Sequence, residues 1–248
     1  MKPALFDGRG KVVLVTGAAG GIGRETVRLA RASGAKVAAF DLARRGLPRE
    51  ARDVLAMTGD AAAEADVRAL VRETVKRFGR IDAVVSAVGV VGAGRLDAMP
   101  LDEWHRLLDI NLTSAFLLCR ETWRPLKRAR GAVVLFSSTN GRNGGSHLSG
   151  AAYAVAKAGI VNLGRYLALE WAPQGIRVNT VAPGPIDTPM VTGGRLSPAE
   201  LARLPTVVPL GRIGEPRHVA HAIEYLLHPD ADFVTGTVMH VSGGLVMG

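Results

Sequence analysis

The stretch KVVLVTGAAGGIG, from Lys11 to Gly23, decides the fold of this chain. It begins with a short apolar run rich in β-branched residues, which predicts a buried strand, and it passes through a glycine-rich loop directly into a helical pattern. Gly17, Gly21 and Gly23 permit a tight turn, a close backbone approach to a pyrophosphate and close packing of helix on strand. The helix start adds unpaired N–H groups and a positive dipole end. The stretch therefore predicts a dinucleotide-phosphate site.

Short apolar runs alternate with longer helical patterns along the whole chain, which is typical of βαβ units. Seven strands are predicted: KVVLVTG from Lys11, KVAAFD from Lys36, VLAMTGD from Val54, IDAVVSAVG from Ile81, GAVVLFSS from Gly131, IRVNTVAPG from Ile176 and GTVMHVSGG from Gly236. Helices are predicted near residues 21–33, 63–78, 101–127, 151–171 and 216–228. The prediction is an α/β fold, a single-domain Rossmann-type doubly wound sheet of about seven parallel strands with helices on both faces.

No linker, repeat or low-complexity run divides the 248 residues, so residues 1–248 are predicted to form a single dinucleotide-binding and catalytic domain. The longest segment without clear periodicity, residues 187–215, is predicted to be a lid over the substrate. The alternative is a surface helix that stays ordered. Gly193-Gly194 is the candidate hinge, and the candidate inner face consists of Leu196, Leu201 and Leu204.

Composition limits the class of protein. No run reaches the length of about 18 apolar residues that a membrane span needs, and residues 1–11 lack a signal-peptide core, so a soluble cytoplasmic protein without a membrane partner is predicted. The single cysteine, Cys119, lies in an apolar helical stretch and is predicted to be a buried structural thiol. His218 and His221 lack further ligands nearby, so no metal site is predicted.

The net charge of +9, from 31 basic and 22 acidic residues, raises the question of a nucleic-acid partner. The basic residues are spread along the chain, and only residues 120–130, RETWRPLKRAR, form a dense cluster. A solvated helix end explains that cluster as well as a partner does. The sequence therefore predicts no nucleic-acid binding.

Two carboxylates follow the glycine loop. Asp41 ends the second predicted strand, about where a dinucleotide site places the carboxylate that binds the adenosine ribose hydroxyls. Asp60 ends the third strand, where it could meet the adenine edge. For Asp41 the alternative is a strand-end turn without a ligand.

A carboxylate at Asp41 would repel the 2′-phosphate of NADP, and neither Gly20 nor Leu42 offers a basic side chain to offset it. Arg44 and Arg45, three and four positions after Asp41, could swing toward the adenosine end and neutralise a phosphate. A distant arginine must first be ordered, whereas the carboxylate is already in place. NAD is therefore predicted as the cofactor in preference to NADP.

A second constellation lies in the helix after strand five. Tyr153 and Lys157 are four residues apart, so both side chains leave the same helix face. An ammonium group favours the ionised form of a neighbouring phenol, which brings a proton donor and acceptor closer to neutral pH. The preceding strand ends in Ser137-Ser138, at the sheet edge where ligands bind.

Together TGAAGGIG, Asp41, Asn111, Ser138, YAVAK and NTVAPGPIDT resemble the short-chain dehydrogenase/reductase family over residues 11–244. The resemblance implies an NAD(P)-dependent oxidoreductase that transfers a hydride between nicotinamide and a secondary alcohol or ketone carbon. It implies that Tyr153 is the general acid/base, that Lys157 lowers the pKa of Tyr153 and holds the nicotinamide ribose, and that Ser138 bonds the reacting oxygen.

The resemblance further implies that Asn111 holds a water that passes protons between Lys157 and solvent. Thr188 would bind the nicotinamide carboxamide. The cofactor-binding residues that follow from the loop, the strand ends and the resemblance are Gly17, Gly21, Ile22, Gly23, Asp41, Asp60, Ala61, Ala87, Gly89, Tyr153, Lys157, Pro183, Gly184, Ile186 and Thr188.

Three departures from the family pattern stand out. Ser86 occupies the usual place of an asparagine whose amide ties neighbouring strands, and Ser242 replaces a common acidic residue. The interval from Ser138 to Tyr153 is about two residues longer than usual, so the choice of Ser138 depends on SSTNG matching the family motif SSxxG. The extra length brings His147 near the expected substrate site, where it is either a substrate contact or a plain surface histidine.

The substrate is not apparent from the sequence, because the family recognises steroids, sugars, acyl thioesters and alcohols through variable loops. One alternative is a 3-oxoacyl thioester reductase whose acidic acyl-carrier partner meets the basic cluster. Another is a cofactor-binding redox sensor without chemistry. The resemblance also implies a homotetramer packed through two long helices and the last strand. Trp171 and the apolar end VSGGLVMG are compatible with it, and the alternative is that both are buried within one subunit.

Overall fold

The computed structural model describes residues 7–247, and within them all seven predicted strands form. The strands are β1 (Val12–Thr16), β2 (Lys36–Asp41), β3 (Val54–Thr58), β4 (Ala83–Ser86), β5 (Ala132–Phe136), β6 (Arg177–Pro183) and β7 (Val238–Val241). Every neighbouring pair is parallel, and the order across the sheet is β3-β2-β1-β4-β5-β6-β7. The predicted doubly wound parallel sheet is confirmed.

The strand order reverses between β1 and β4. The chain builds from β1 outward to β3, then returns and builds from β4 to β7 on the other side. Because α1, which follows β1, and α4, which leads from β4 to β5, cover opposite faces of the sheet, a crevice opens above the carboxyl ends of β1 and β4, where open α/β sheets bind ligands. Thr16 and Ser86 are register partners at that edge.

Helices cover both faces of the sheet. They are α1 (Gly21–Ala32), α2 (Glu64–Phe78), α3 (Leu101–Leu108), α4 (Ser114–Ala129), α5 (Asn140–Asn143), α6 (Ala151–Trp171), α7 (Pro189–Thr192), α8 (Pro198–Val207) and α9 (Pro216–Leu227). Alternate strand residues point to opposite faces. Leu14 accordingly joins the core under α2, α4 and α6, whereas Val13 and Val15 join the core under α1 and α9.

The predicted helix over residues 101–127 is two α-helices joined by a π-helical turn. α3 ends at Leu108, the turn covers Asp109–Thr113, and α4 begins at Ser114. A π turn inserts an extra residue into a helix and is often found at functional sites. Here it contains Asn111, which is buried.

Residues 187–215 contain regular structure that the sequence pattern did not reveal. α7 and α8 are short, and each has proline at its first position. α8 begins with a capping box in which the hydroxyl of Ser197 accepts from the backbone N–H of Glu200 and the Glu200 carboxylate accepts in return. Such short helices bury too few apolar residues to produce a detectable period.

Trp171, offered as a candidate contact between subunits, is 4% exposed and packs in the core of its own chain. Of the apolar end VSGGLVMG, Met247 is exposed and Gly248 lies outside the described residues, as do residues 1–6 of the predicted start. None of the helices in residues 7–247 combines the length and apolar character needed to cross a bilayer.

Candidate active site

A cavity of about 670 Å³ lies at the carboxyl edge of the sheet. All but one of the predicted site residues line it, and they reach it from seven different loops and helices along the chain. They are Gly17, Gly21, Ile22, Gly23, Asp41, Asp60, Ala61, Ala87, Gly89, Ser138, Tyr153, Lys157, Pro183, Gly184, Ile186 and Thr188. The exception is Asn111, which lies behind the cavity wall.

The glycine loop has no room for side chains. Gly17 has φ +72°, and a Cβ there would lie 2.6 Å from the carbonyl carbon of Ala87 on the next loop. A Cβ on Gly23 would lie 2.0 Å from the carbonyl oxygen of Gly17. Gly20, the N-cap of α1, places no side chain on the helix start. The first N–H groups of α1 therefore face the cavity and suit a pyrophosphate.

The carboxylate of Asp41 is fixed at the end of β2. Its Oδ2 accepts from the backbone N–H of Ala19 at 3.0 Å, and its Oδ1 accepts from that of Ala43 at 3.1 Å. These bonds tie β2 to the glycine loop and still leave acceptor sites for ribose hydroxyls. Arg44 donates to the carbonyl of Ala56 on β3 at 3.2 Å. Arg44 and Arg45 are not among the residues that line the cavity.

Asp60 also lines the cavity, with an exposed side chain. Its Oδ1 accepts from the backbone N–H of Ala62 at 2.8 Å, which closes a local turn. Ala61 beside it is buried. This geometry agrees equally with the turn interpretation and with a site for an adenine edge.

Ser137 and Ser138 have different surroundings despite adjoining positions. The hydroxyl of Ser137 is buried and donates to the carbonyl of Lys157 at 2.7 Å. The hydroxyl of Ser138 accepts from the backbone N–H of Asn140 at 3.2 Å and also bonds the phenol of Tyr153. The longer interval before Tyr153 therefore does not move the second serine out of the cavity.

Burial raises the pKa of the Tyr153 phenol, against the opposing effects of the Ser138 hydrogen bond and the positive charge of Arg195. The sequence predicted a shift in the other direction, caused by Lys157. The ammonium nitrogen of Lys157 lies 5.6 Å from the centre of the Tyr153 ring. At this distance its attraction does not outweigh the loss of water around the phenol.

Lys157 is buried, and burial lowers the pKa of its ammonium to about 8. Its Nζ donates to the carbonyl of Phe136 at 3.0 Å. Asn111 lies close to it, because a Cβ on Gly89 would be 3.0 Å from Asn111 Oδ1 and 3.1 Å from Lys157 Nζ. A glycine at this position lets the two polar side chains approach each other.

The side chain of Asn111 is held on three sides. Its Oδ1 accepts from the backbone N–H of Val90 at 3.1 Å, and its Nδ2 donates to the carbonyls of Val90 and Leu107, both at 2.9 Å. The bond to Leu107 ties the π turn to the end of α3. The amide therefore has a fixed orientation, with its oxygen toward Lys157.

Residues 183–186 and 188, at and after the end of β6, form one wall of the cavity and are held in place by close packing. Thr188 caps α7, and its methyl group would lie 2.5 Å from a Cβ on Gly21. Gly184 lies against Ser242, whose backbone Cα would be 2.9 Å from a Cβ there. The Ser242 hydroxyl donates to the carbonyl of Val246 at 3.2 Å and accepts from its N–H at 3.3 Å. The serine that replaces the usual acidic residue thus fixes the turn that carries Leu245 into the cavity.

Ser86, which stands where the family usually has asparagine, lies next to a buried hydroxyl without a hydrogen-bond partner in the described residues. Ser86 is buried at the end of β4, opposite Thr16 on β1. The Thr16 hydroxyl is also buried and has no hydrogen-bond partner among residues 7–247. A shorter side chain at position 86 leaves the two strands without a side-chain bond at this point.

The substrate end of the cavity contains residues that sequence reasoning missed, including Leu148, Met190, Arg195 and Val207. Of the predicted inner face of the lid, Leu196 and Leu204 line the cavity and Leu201 does not. His147 is exposed and outside the cavity wall. The one feature of the sequence that could have indicated these residues is Arg195, a cation between the glycine pair Gly193-Gly194 and Leu196.

Cys119, His218 and His221 lie outside the cavity and have roles in packing or local hydrogen bonding. Cys119 is buried, and burial raises the pKa of its thiol to about 12, as the structural interpretation requires. His218 accepts from the backbone N–H of Glu215 at 2.9 Å, and His221 bonds Glu224 at 3.1 Å. Within residues 7–247 no group of three or more histidine, cysteine or carboxylate side chains is arranged for a metal.

A parallel sheet with a glycine-rich loop at its switch point defines the class of dinucleotide-binding α/β proteins. A family model described as enoyl-(acyl carrier protein) reductase matches residues 17–246. An uncharacterized short-chain type dehydrogenase/reductase of Sinorhizobium fredii is 38% identical over 245 residues, which are 95% of this chain and 43% of that protein. The chain therefore spans less than half the length of this relative.

The 3-oxoacyl-[acyl-carrier-protein] reductase of Vibrio cholerae is 34% identical over 244 residues, covering 96% of this chain and 98% of the relative. A solved short-chain dehydrogenase/reductase of Brucella melitensis, described as glucose/ribitol dehydrogenase, has a TM-score of 0.91 at 34% identity and covers 98% of this chain and 99% of its own. The chain belongs to the short-chain dehydrogenase/reductase family. It is an oxidoreductase of a family that uses a nicotinamide cofactor on alcohol and carbonyl groups.

Proposed function

We propose that this chain transfers a hydride between NAD and the carbon of a secondary alcohol or ketone, with Tyr153 as general acid/base. The observation that carries the proposal is the convergence of Ser138, Tyr153 and Lys157 on one cavity whose other end is the glycine loop. A cofactor-binding sensor without chemistry would need only the glycine loop and Asp41. A buried tyrosine and a buried lysine on one helix face would then have no purpose.

The cavity residues fit a nicotinamide dinucleotide. The N–H groups at the start of α1 would bind the pyrophosphate, Asp41 the adenosine ribose and Thr188 the carboxamide. Lys157 would hold the second ribose through its ammonium group. When bound, the nicotinamide ring accepts a hydride from the alcohol carbon or returns one to the ketone.

The proton is handled by the chain's own residues. Because burial raises the pKa of Tyr153, its Oη keeps its proton at neutral pH and can donate it to a carbonyl oxygen. Ser138, which already bonds the phenol, would hold that oxygen beside it. In the oxidation direction the phenol must first lose its proton, so alcohol oxidation should accelerate as the pH rises.

The preference for NAD rests on Asp41. Its carboxylate is held by two backbone N–H groups and cannot turn away from a 2′-phosphate without losing both. Arg44 is engaged with the carbonyl of Ala56, so its use as a phosphate partner would cost that bond. Like charges at hydrogen-bond distance repel, which favours the cofactor without the phosphate.

We also propose that residues 187–215 close over the substrate and that the protein is a homotetramer. Gly194, with φ +92° and open space around it, supports a hinge. Support for the tetramer comes from exposed apolar side chains on the two long helices, Phe116 on α4 and Leu169 on α6, of which Leu169 is 80% exposed. The cytoplasmic location stays a prediction from the sequence.

A 3-oxoacyl thioester is the second candidate substrate, favoured by the similarity to the Vibrio cholerae reductase. The structure offers limited support for carrier docking at the basic cluster. Arg120 is paired with Glu64 and Glu121, and Lys127 lies over the ring of Trp123 at 4.9 Å. These partners reduce the positive charge available to an acidic carrier.

The test is turnover of a panel of secondary alcohols, sugars, dihydrodiols and 3-oxoacyl thioesters with both cofactors, followed by nicotinamide absorbance. Tyr153→Phe should retain NADH binding, measured by fluorescence, and lose about 100- to 10,000-fold in kcat. Ser138→Ala should be more harmful than Ser137→Ala, because only the Ser138 hydroxyl bonds the phenol. A near-wild-type rate for Tyr153→Phe would contradict the proposal.

A further inference from the structure

The part of the cavity beyond Tyr153 is largely apolar. It is closed on one side by Leu148 from the loop before α6 and on the other by Leu196 and Leu204 from the segment around α8. Met190 and Leu245 complete this wall. Such a lining suits a substrate with a hydrocarbon body rather than a sugar, whose hydroxyls would each need a polar partner.

One cation stands in this apolar wall. Among the described residues that line the cavity, Asp41 and Asp60 lie at the adenosine side, and Lys157 is turned toward the carbonyl of Phe136. Arg195 is the remaining charged side chain. It follows the glycine pair and precedes the buried Leu196, so the backbone holds it at the cavity mouth.

Most donors of Arg195 are available. Its Nη1 donates to the backbone carbonyl of Leu148 on the opposite wall, and no carboxylate within residues 7–247 pairs with it at salt-bridge distance. The positive charge of Arg195 contributes to the lowered pKa of Glu200, whose carboxylate accepts from the backbone N–H and the hydroxyl of Ser197. Nε and Nη2 remain free to bind an anion, as a fork of parallel donors.

Arg195 and Tyr153 line the same cavity, and the guanidinium of Arg195 is exposed at its mouth. The positive charge of Arg195 lowers the pKa of the Tyr153 phenol, which opposes the effect of burial. A molecule whose reacting oxygen meets Tyr153 can therefore extend toward Arg195.

We propose that Arg195 binds a carboxylate of the substrate, which makes the substrate class small secondary alcohols or ketones with an acid group on an apolar body. This inference rests on the proposed function and specifies its substrate. A carboxylate matches one guanidinium in charge and in bidentate geometry. A phosphate dianion would leave a negative charge uncompensated among leucines, which is costly. The bond to Leu148 brings the two cavity walls together around the anion.

The experiment compares 4-hydroxycyclohexanecarboxylate with its methyl ester as substrates, since the ester lacks the negative charge at the far end and adds only one methyl group. We expect the acid to have the higher kcat/KM by about tenfold to a hundredfold, because bonds to charged groups are worth that much. Arg195→Met should abolish this preference. The readout is the ratio of kcat/KM for acid and ester, not the absolute rate, because loss of the charge also changes the pKa of the Tyr153 phenol. Arg195→Lys should restore part of the preference, because the charge returns without the fork.

Arg203→Met is the matched control, because Arg203 lies on α8, is exposed and does not line the cavity. It should keep the full preference for the acid. A second measurement does not need turnover: calorimetric binding of cyclohexanecarboxylate and of its amide to the protein loaded with NADH. Wild type should bind the acid more tightly by about tenfold, and Arg195→Met should bind both equally.

The outcomes separate the two proposals. If neutral alcohols turn over and the acid shows no advantage in turnover or binding, Arg195 does not recognise a carboxylate, whereas the proposed function stands. If no alcohol or ketone turns over but acid binding depends on Arg195, the proposed function is wrong and the anion site stands. An equal preference for the acid in Arg195→Met and wild type would overturn the inference.

Discussion

Replacing Asp41 with alanine should convert an enzyme that prefers NAD into one with little discrimination between NAD and NADP. The carboxylate lies at the end of β2 with both oxygens fixed by backbone N–H groups of Ala19 and Ala43. It is therefore ordered before the cofactor arrives. The substitution removes an acceptor for the ribose hydroxyls and a negative charge that faces the 2′-phosphate.

The size of the effect follows from these two losses. Bonds from ribose hydroxyls to a charged acceptor contribute about 1.5 kcal/mol or more, so kcat/KM for NAD should fall at least about tenfold. Two unit charges 4 Å apart repel by about 4 kcal/mol at an effective dielectric of about 20, and solvent around the half-buried Asp41 reduces this. A gain of about tenfold for NADP is expected, so discrimination should fall by about a hundredfold.

The assay is kcat/KM with each cofactor at fixed substrate for wild type and Asp41→Ala. Asp41→Asn controls for the loop, because its amide oxygen can still accept from Ala19 while the charge is gone. Asp60→Ala controls for removal of another cavity carboxylate and should leave the ratio within about threefold of wild type. A wild-type preference for NADP, or an unchanged ratio in Asp41→Ala, refutes the reasoning.

Three further outcomes are expected. Thr16→Val should raise the free energy of unfolding in urea by about 1 kcal/mol, because it removes a buried hydroxyl that has no partner within residues 7–247; a clear loss of stability would mean that the hydroxyl is satisfied after all. Light scattering should give about four times the 26.1 kDa of one chain, and a mass near one chain would exclude the tetramer. Amide hydrogens of residues 187–215 should exchange more slowly once cofactor and substrate are both present, and unchanged exchange would count against a lid.

The sequence was sufficient to predict features that a single strand or helix determines by itself. Short apolar runs predicted all seven strands, since both faces of most strands in a parallel sheet are covered by helices. The distance from Gly23 to Asp41 and the four-residue step from Tyr153 to Lys157 are fixed by strand and helix geometry. The structure brings these residues to one cavity.

Features made by distant segments were not predictable from spacing. Leu148 and Arg195 are 47 positions apart and meet only because two loops close over the same cavity. The prediction that the pKa of Tyr153 is lowered was wrong for a similar reason. Burial raises this pKa, and burial is a property of the assembled site and not of the YAVAK motif. From the sequence, Trp171 could be either a subunit contact or a core residue of one chain, and the folded structure gives it core neighbours.

The π turn at Asp109–Thr113 changes the rotational phase of the chain between α3 and α4. Each helical residue advances the side-chain direction by about 100°, so one inserted residue offsets the inward faces of the two helices by about that angle. Leu107 before the turn and Leu117 after it can then both lie in the core, while Asn111 between them points to Lys157. Deleting a single residue here would remove this offset and rotate one of these groups away from its present neighbours, so the site depends on the length of this segment as well as on Asn111.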